Sequence, residues 1–257
     1  MRMFRLDGKI ALVTGASGRL GAAMAAALAE AGANLILHGR DADRLAQTAA
    51  RLSSLLLAGT EPPRQWLFDL ADDVMLERHL SDLPRLDVLV NNAYWGPPGS
   101  VDTATAAQFQ DALNLGLAVP FRCIQLSRDA MRRAGTASVI NIASMYGMVS
   151  PDFRVYEDPA TGNPPYYGAA KGGLLQLTRY LACQLAQDGI RVNAISPGPF
   201  PPPAAPARLQ ESLCAKVPLG RLGRPDDLGG AVVYLASEAS AYVTGQNLAV
   251  DGGWTAW

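Results

Sequence analysis

Apolar residues along the chain fall in short runs separated by longer, partly polar stretches. Residues 9–14 (KIALVT), 34–38 (NLILH), 65–69 (QWLFD), 86–91 (LDVLVN), 138–143 (SVINIA) and 191–196 (RVNAIS) are brief and mostly apolar, and each is predicted as a strand. Between them, residues 19–31, 41–57, 72–82, 105–134 and 166–188 are predicted as helices. The first of these is rich in Ala and Leu and stops before Gly32, a residue type that closes helices without strain. Repeated strand–helix alternation requires crossover connections. It predicts an α/β fold, a three-layer doubly wound parallel sheet of Rossmann type, built as a single domain over residues 1–257.

Two segments break the rhythm. Residues 145–165 contain Pro151, Pro159, Pro164 and Pro165, and residues 197–206 contain Pro197, Pro199, Pro201, Pro202, Pro203 and Pro206. Neither segment can be regular helix or central strand. Both follow predicted strands, and in a doubly wound sheet ligands bind where loops leave the strand ends. Lining of a site is therefore favoured over a rigid surface connector.

Charge and composition narrow the classes. A net charge of −1 leaves no basic surplus for a nucleic-acid backbone. The N-terminus lacks the apolar core of a signal peptide, and no apolar run is long enough to span a bilayer. Cys123, Cys183 and Cys214 are too dispersed for a disulfide framework or metal knuckle, and free thiols fit a cytoplasmic location. His38 and His79 have no partners at metal-ligand spacing, so no metal is expected and both are read as partly exposed structural residues.

The turn after the first strand reads Thr14-Gly15-Ala16-Ser17-Gly18-Arg19-Leu20-Gly21. Its glycines permit a tight turn and close backbone approach to a pyrophosphate, and the following helix supplies free N–H groups and a positive dipole end. Gly15, Ser17, Gly18, Arg19, Leu20 and Gly21 are thus candidates for holding a dinucleotide. At the end of the second strand, a free ribose 2′-hydroxyl is usually met by Asp or Glu, a 2′-phosphate by a cation. Residues 38–40 carry no acid and include Arg40, with Arg19 as a second cation; NADP(H) is favoured over NAD(H), against which Asp41 counts.

Tyr167 and Lys171 lie four residues apart and share a helix face. A phenol with a pKa of about 10 is a poor acid–base catalyst near neutrality, and a nearby ammonium favours the phenolate. Tyr166 has Ala170 four residues on, so Tyr167 is the better candidate.

In order along the chain, these motifs resemble the short-chain dehydrogenase/reductase family, in its short single-domain branch. The likeness runs from Lys9 to Gly253. It includes the glycine turn, Asp69-Leu70, Asn91-Asn92-Ala93, Asn114, Asn141-Ile142-Ala143-Ser144 and Tyr167 with Lys171. Asn193 to Gly198, Pro218-Leu219-Gly220-Arg221, Thr244-Gly245 and Val250-Asp251-Gly252-Gly253 complete it. The resemblance implies an oxidoreductase interconverting an alcohol and a carbonyl by hydride transfer with a nicotinamide cofactor. By position, Tyr167 would carry the proton, Ser144 would hold the substrate oxygen, and Lys171 would bind the nicotinamide ribose and depress the tyrosine pKa. Asn114 would hold a water linking Lys171 to solvent. Asp69, Leu70, Asn92, Ala93, Pro197 and Gly198 would join the cofactor site. The family commonly forms homotetramers, and the tail Trp254 to Trp257, with two exposed-looking tryptophans, suggests an interface.

The chain departs from that pattern in several places. The middle glycine of the turn is displaced, with Arg at 19. Tyr94 replaces a glycine after Asn91-Asn92-Ala93 and, with Trp95, could wall the substrate. Pro202 stands where a threonine would touch the carboxamide. The gap from Ser144 to Tyr167 is unusually long, so residues 150–165 form an insertion beside the substrate, carrying Arg154 and Tyr156 as candidate contacts; a subunit contact or surface flap is the competing reading. A second substrate-side loop spans about 197–222. A polyol, sugar or sugar-acid substrate is the first expectation. A 3-oxoacyl (acyl-carrier) thioester is the alternative, and a catalytically silent, cofactor-sensing binding protein is the reading from another class.

Overall fold

The structure, a computed structural model, describes residues 1–57, 59–158 and 162–257; Pro159 of the predicted insertion lies outside them. The first half alternates β1 (Ile10–Val13), α1 (Arg19–Glu30), β2 (Asn34–Gly39), α2 (Ala42–Ser53), β3 (Arg64–Leu67), α3 (Asp73–Leu80) and β4 (Val88–Asn91). Then follow α4 (Ala106–Leu113), α5 (Val119–Arg133), β5 (Ala137–Ile142), α6 (Pro165–Leu185), β6 (Ile190–Pro197), α7 (Ala207–Cys214), α8 (Gly229–Ala236) and β7 (Asn247–Val250). The seven strands form one sheet in the order β3-β2-β1-β4-β5-β6-β7, and every pairing is parallel.

Alternation along each strand builds two cores. Ala11 and Val13 of β1 join Met24 and Leu28 of α1 and Val232 and Leu235 of α8 on one face. Leu12 between them joins Leu76 of α3, Ile124 and Met131 of α5 and Leu181 of α6 on the other. The chain runs outward from β1 to β3, then returns to lay β4 on the other side of β1. The loops leaving β1 and β4 diverge there, which opens a crevice at the carboxyl ends of the strands.

The predicted 105–134 helix is two helices joined by a π-turn over Asn114–Ala118. α4 starts on a capping box: Thr105 accepts from the Gln108 N–H at 3.2 Å, and Gln108 accepts from the Thr105 N–H at 2.9 Å. α6 begins at Pro165, where a proline costs no helical hydrogen bond. His38 is not partly exposed as expected. At 3% exposure it is buried, its Nε2–H donating to the Phe68 carbonyl at 3.0 Å. Trp254 is likewise buried, in a small core with Val155, Leu213 and Val217, whereas Trp257 is exposed.

Candidate active site

A cleft of about 760 Å³ opens at the divergence of β1 and β4. Its floor is the glycine turn. Gly15 has a φ of +64°, a region closed to most side chains, and a Cβ on Gly21 would lie 2.3 Å from the Gly15 carbonyl. The turn is pinned from β4. The Thr14 hydroxyl accepts from the Asn92 N–H at 2.9 Å and the Ala93 N–H at 3.1 Å, and Asn92 Nδ2 donates to the Thr14 carbonyl at 2.9 Å. Behind the floor, His38 Nδ1 faces the Gly15 N–H at 3.5 Å.

At one end of the cleft lie Arg40, Asp69 and Leu70, joined by Arg44 from α2, which the sequence reading missed. Arg40 Nη1 donates to Asp69 Oδ2 at 3.2 Å. Asp69 also accepts from the Ala71 N–H at 3.0 Å, and this backbone bond is the largest cause holding its carboxyl below the usual range. Arg44 Nη2 donates to the Ser17 carbonyl at 3.0 Å, and Arg19 Nη2 to the Phe200 carbonyl at 3.3 Å. Asp41 is spent as the α2 N-cap, accepting from the Arg44 N–H at 3.0 Å.

At the other end, β5 delivers Ser144 and α6 delivers Tyr167 and Lys171, with Tyr94, Trp95, Leu115, Pro197 and Gly198 around them. Ser144 accepts from the Tyr146 N–H at 3.1 Å, and a Cβ on Gly147 would lie 2.8 Å from the Lys171 backbone, so this hook seats on α6 only with glycine there. Asn91 donates to Asn141 at 2.9 Å, and Asn141 donates to Thr178 at 2.9 Å, tying β4, β5 and α6 together beneath the site. Tyr166 is fully buried and donates to the Pro97 carbonyl at 2.8 Å, while Tyr167 faces the cleft.

Lys171 is buried, donates to the Ile142 carbonyl at 2.7 Å, and has its pKa pushed down to about 8 by burial. Burial pushes the Tyr167 phenol above its ordinary value, opposed by a hydrogen bond with Ser144. The direction is opposite to the depression expected from Lys171: the lowering contribution comes from the Ser144 hydrogen bond, and burial outweighs it.

Three expected residues sit elsewhere. Asn114 is exposed and outside the cleft; it opens the π-turn, where its carbonyl accepts from the Val119 N–H. Arg154 is turned outward, its guanidinium folded back onto Asp152 at 2.8 Å, because a 3-10 turn sets the two side chains together. Tyr156 is half-buried against Tyr146, their hydroxyls 3.5 Å apart, behind Tyr167 and not on the cleft wall.

Comparison with known proteins places this arrangement. A family profile described as enoyl-(acyl carrier protein) reductase matches residues 15–255. The chain belongs to the short-chain dehydrogenase/reductase family. It is similar to the rhamnolipids biosynthesis 3-oxoacyl-[acyl-carrier-protein] reductase of Pseudomonas aeruginosa, at 36% identity over 265 residues, with 97% of each chain covered. It is also similar to the cis-4-hydroxycyclohexanecarboxylate dehydrogenase of Sinomonas cyclohexanicum, at 34% identity, covering 96% of this chain and 97% of that one. Among solved structures it resembles a gluconate 5-dehydrogenase from Burkholderia cenocepacia in complex with NADP and tartrate, at 30% identity and a TM-score of 0.87, covering 100% of this chain and 98% of that one. Like its relatives, this short-chain dehydrogenase/reductase is an NAD(P)-dependent oxidoreductase that interconverts an alcohol and a carbonyl by hydride transfer.

The cleft fits the cofactor. The glycine floor leaves room that a Cβ would fill, and the N-terminus of α1 opens onto it. Among the described residues no group of His, Cys, Asp and Glu could hold a metal ion.

Proposed function

We propose that this enzyme prefers NADP(H) and reduces or forms a carbonyl on a polyol, sugar or sugar acid, with Tyr167 as the proton donor and acceptor. The observation that carries the reading is the meeting of Tyr167, Ser144 and Lys171 at one end of a cleft whose other end is ringed by Arg19, Arg40 and Arg44. The nicotinamide supplies or takes the hydride. Tyr167 gives a proton to the nascent alkoxide, or takes one from the alcohol, through a hydroxyl facing the cleft. Ser144 donates to the same substrate oxygen and holds it against Tyr167. Lys171 presents its ammonium beside the tyrosine ring, favouring the phenolate when the proton leaves. Gly15, Ser17, Gly18, Leu20 and Gly21 would cradle the pyrophosphate, Arg40 and Arg44 a 2′-phosphate, Asp69 and Leu70 the adenine side, and Asn92, Ala93, Pro197 and Gly198 the nicotinamide side.

The substrate class is supported by Tyr94 and Tyr167 on the cleft wall, by the insertion packed against Tyr167, and by the similarity to a gluconate 5-dehydrogenase. A 3-oxoacyl thioester is the second reading, favoured by the likeness to the Pseudomonas reductase. Steady-state assays with NADPH separate them. Turnover of 5-keto-gluconate but not acetoacetyl-CoA supports the first, and the reverse preference overturns it. The three free cysteines suit a cytoplasmic setting, and no helix among the described residues is long and apolar enough to cross a membrane. A homotetramer is the assembly this reading carries; Tyr180 on α6 and Phe121 on α5 leave apolar surface for it. Light scattering that gave a monomer would overturn that assembly.

A further inference from the structure

Lys171 is a buried ammonium with too few partners. It has three N–H donors and 4% exposure, and the acceptor it meets is the Ile142 carbonyl at 2.7 Å. Among the described residues no carboxylate pairs with it, and burial is the only cause acting on its titration. A charge so placed needs negative potential from another source.

The side chain that supplies it follows β4. The Tyr94 ring lies beneath Lys171, with Nζ 4.9 Å from its centroid, nearer than the 5.9 Å to the Tyr167 ring. Both distances are within the range at which an aromatic face attracts a cation. The ring is held in place. It meets Tyr167 edge to face, centroids 5.1 Å apart at 71°. A Cβ on Gly116 of the π-turn would lie 3.1 Å from Cε2, and one on Gly96 would lie 3.2 Å from Oη, so two glycines cut the slot it fills. The Tyr94 hydroxyl is buried and has no hydrogen-bond partner among the described residues. The position therefore uses the ring, and its hydroxyl is the expensive part.

We propose that Tyr94 is a positioning residue whose aromatic face holds the Lys171 ammonium charged and in place beside Tyr167. This rests on reading Tyr167 and Lys171 as the proton shuttle. The groups facing Lys171 are Tyr167 from its own helix, Tyr94 from the segment after β4 and the Ile142 carbonyl from β5, with the Ser144 hydroxyl beside Tyr167; none is anionic at neutral pH.

The chain has only three lysines, Lys9, Lys171 and Lys216, so protein labelled with [13Cε]lysine gives a spectrum in which Lys171 is identified by its loss in Lys171→Met. In Tyr94→Phe the ring remains, and the Lys171 signal should keep both its ring-current displacement and its titration midpoint. In Tyr94→Leu the displacement should vanish and the midpoint fall by roughly one pH unit. Gly116→Ala presses a methyl against the ring and should give a smaller fall, and it serves if the leucine variant does not fold. An unchanged midpoint in Tyr94→Leu overturns the proposal. So does a rise, the result expected if water entering the slot were the whole effect. Full activity of Lys171→Met would overturn the shuttle itself and this inference with it, whereas failure in the Tyr94 series alone leaves the shuttle standing.

Discussion

Arg40 and Asp69 are paired across the end of the cleft far from Tyr167, Nη1 to Oδ2 at 3.2 Å, with both side chains about half exposed. An ion pair this exposed is worth roughly 0–1 kcal/mol, so Arg40 can leave it for a stronger anion at little cost. A 2′-phosphate is such an anion, and Arg44, one turn into α2, lines the same end. Arg40→Ala and Arg44→Ala should each raise the NADPH dissociation constant about tenfold while changing that of NADH less than about twofold, in line with roughly 1.4 kcal/mol for one charge-assisted contact. Fluorescence titration with both cofactors checks this. Equal losses for the two would place these arginines outside the 2′ site.

The chemistry end gives a second prediction. Tyr167→Phe removes only a hydroxyl, so kcat should fall about 10²- to 10⁴-fold while NADPH binding and melting temperature hold. Ser144→Ala should lower kcat too, and also cost about 1 kcal/mol of stability, because the same hydroxyl accepts from the Tyr146 N–H. Single-turnover rates and thermal melts separate the two effects. Unimpaired turnover in Tyr167→Phe would move the proton shuttle elsewhere.

Six of the seven strands and the glycine turn were legible because periodicity and glycine spacing are local signals; β7, short and half-exposed, was not predicted as a strand. Tyr167 and Lys171 were legible as a pair because they lie four positions apart on one helix, whereas Ser144, twenty-three positions before Tyr167, was legible only through resemblance. What stayed hidden depended on distant partners. His38 looked partly exposed because nothing beside it in sequence shows that Gly15 and Phe68 close around it. Arg44 was missed because its reach to the cleft depends on how α2 crosses the sheet. Arg154 looked like a substrate contact until Asp152, two residues earlier, proved to hold it outward.

Asp152 does more than turn Arg154. Its carboxylate also meets Lys216, just after α7, and Lys216 lies 5.6 Å from the Trp254 ring. Glu157 pairs with Arg208 of α7 at 3.4 Å, and Val155 packs against Leu213 and Val217. The insertion, α7 and the C-terminal tail thus close over Tyr146 and Tyr167 as one roof. The Arg154 and Lys216 contacts, in that order, hold the Asp152 carboxyl well below the usual carboxylate range. Asp152→Asn and Lys216→Met should therefore loosen the roof, raising KM for the carbonyl substrate about three- to tenfold with kcat and NADPH binding little changed, and the double variant should be no worse than either single one. Additive losses would show that the two residues act separately.

The buried histidine sets the behaviour of the protein in acid. Burial pushes His38 down to about 4, against an ordinary value of 6.5, and its neutral ring sits between the Gly15 N–H and the Phe68 carbonyl. Between those two values the unfolded chain binds a proton that the folded one refuses. Stability conferred by the neutral ring is complete above pH 6.5, falls as pH drops toward 4, and changes no further below that. The full interval corresponds to roughly 3 kcal/mol, of which most should be lost by pH 4.5. The carboxylates held low, Asp7, Asp69, Asp87, Asp152, Asp227 and Asp251, lose their contribution mainly as pH falls through their ordinary value of 3.8 and below it, so most of their effect lies under pH 4.5. Urea unfolding at pH 7 and pH 4.5 should show this loss in the wild-type chain and little of it in His38→Leu. Equal losses in both would show that the acid sensitivity lies in other groups and that His38 titrates freely in the folded protein.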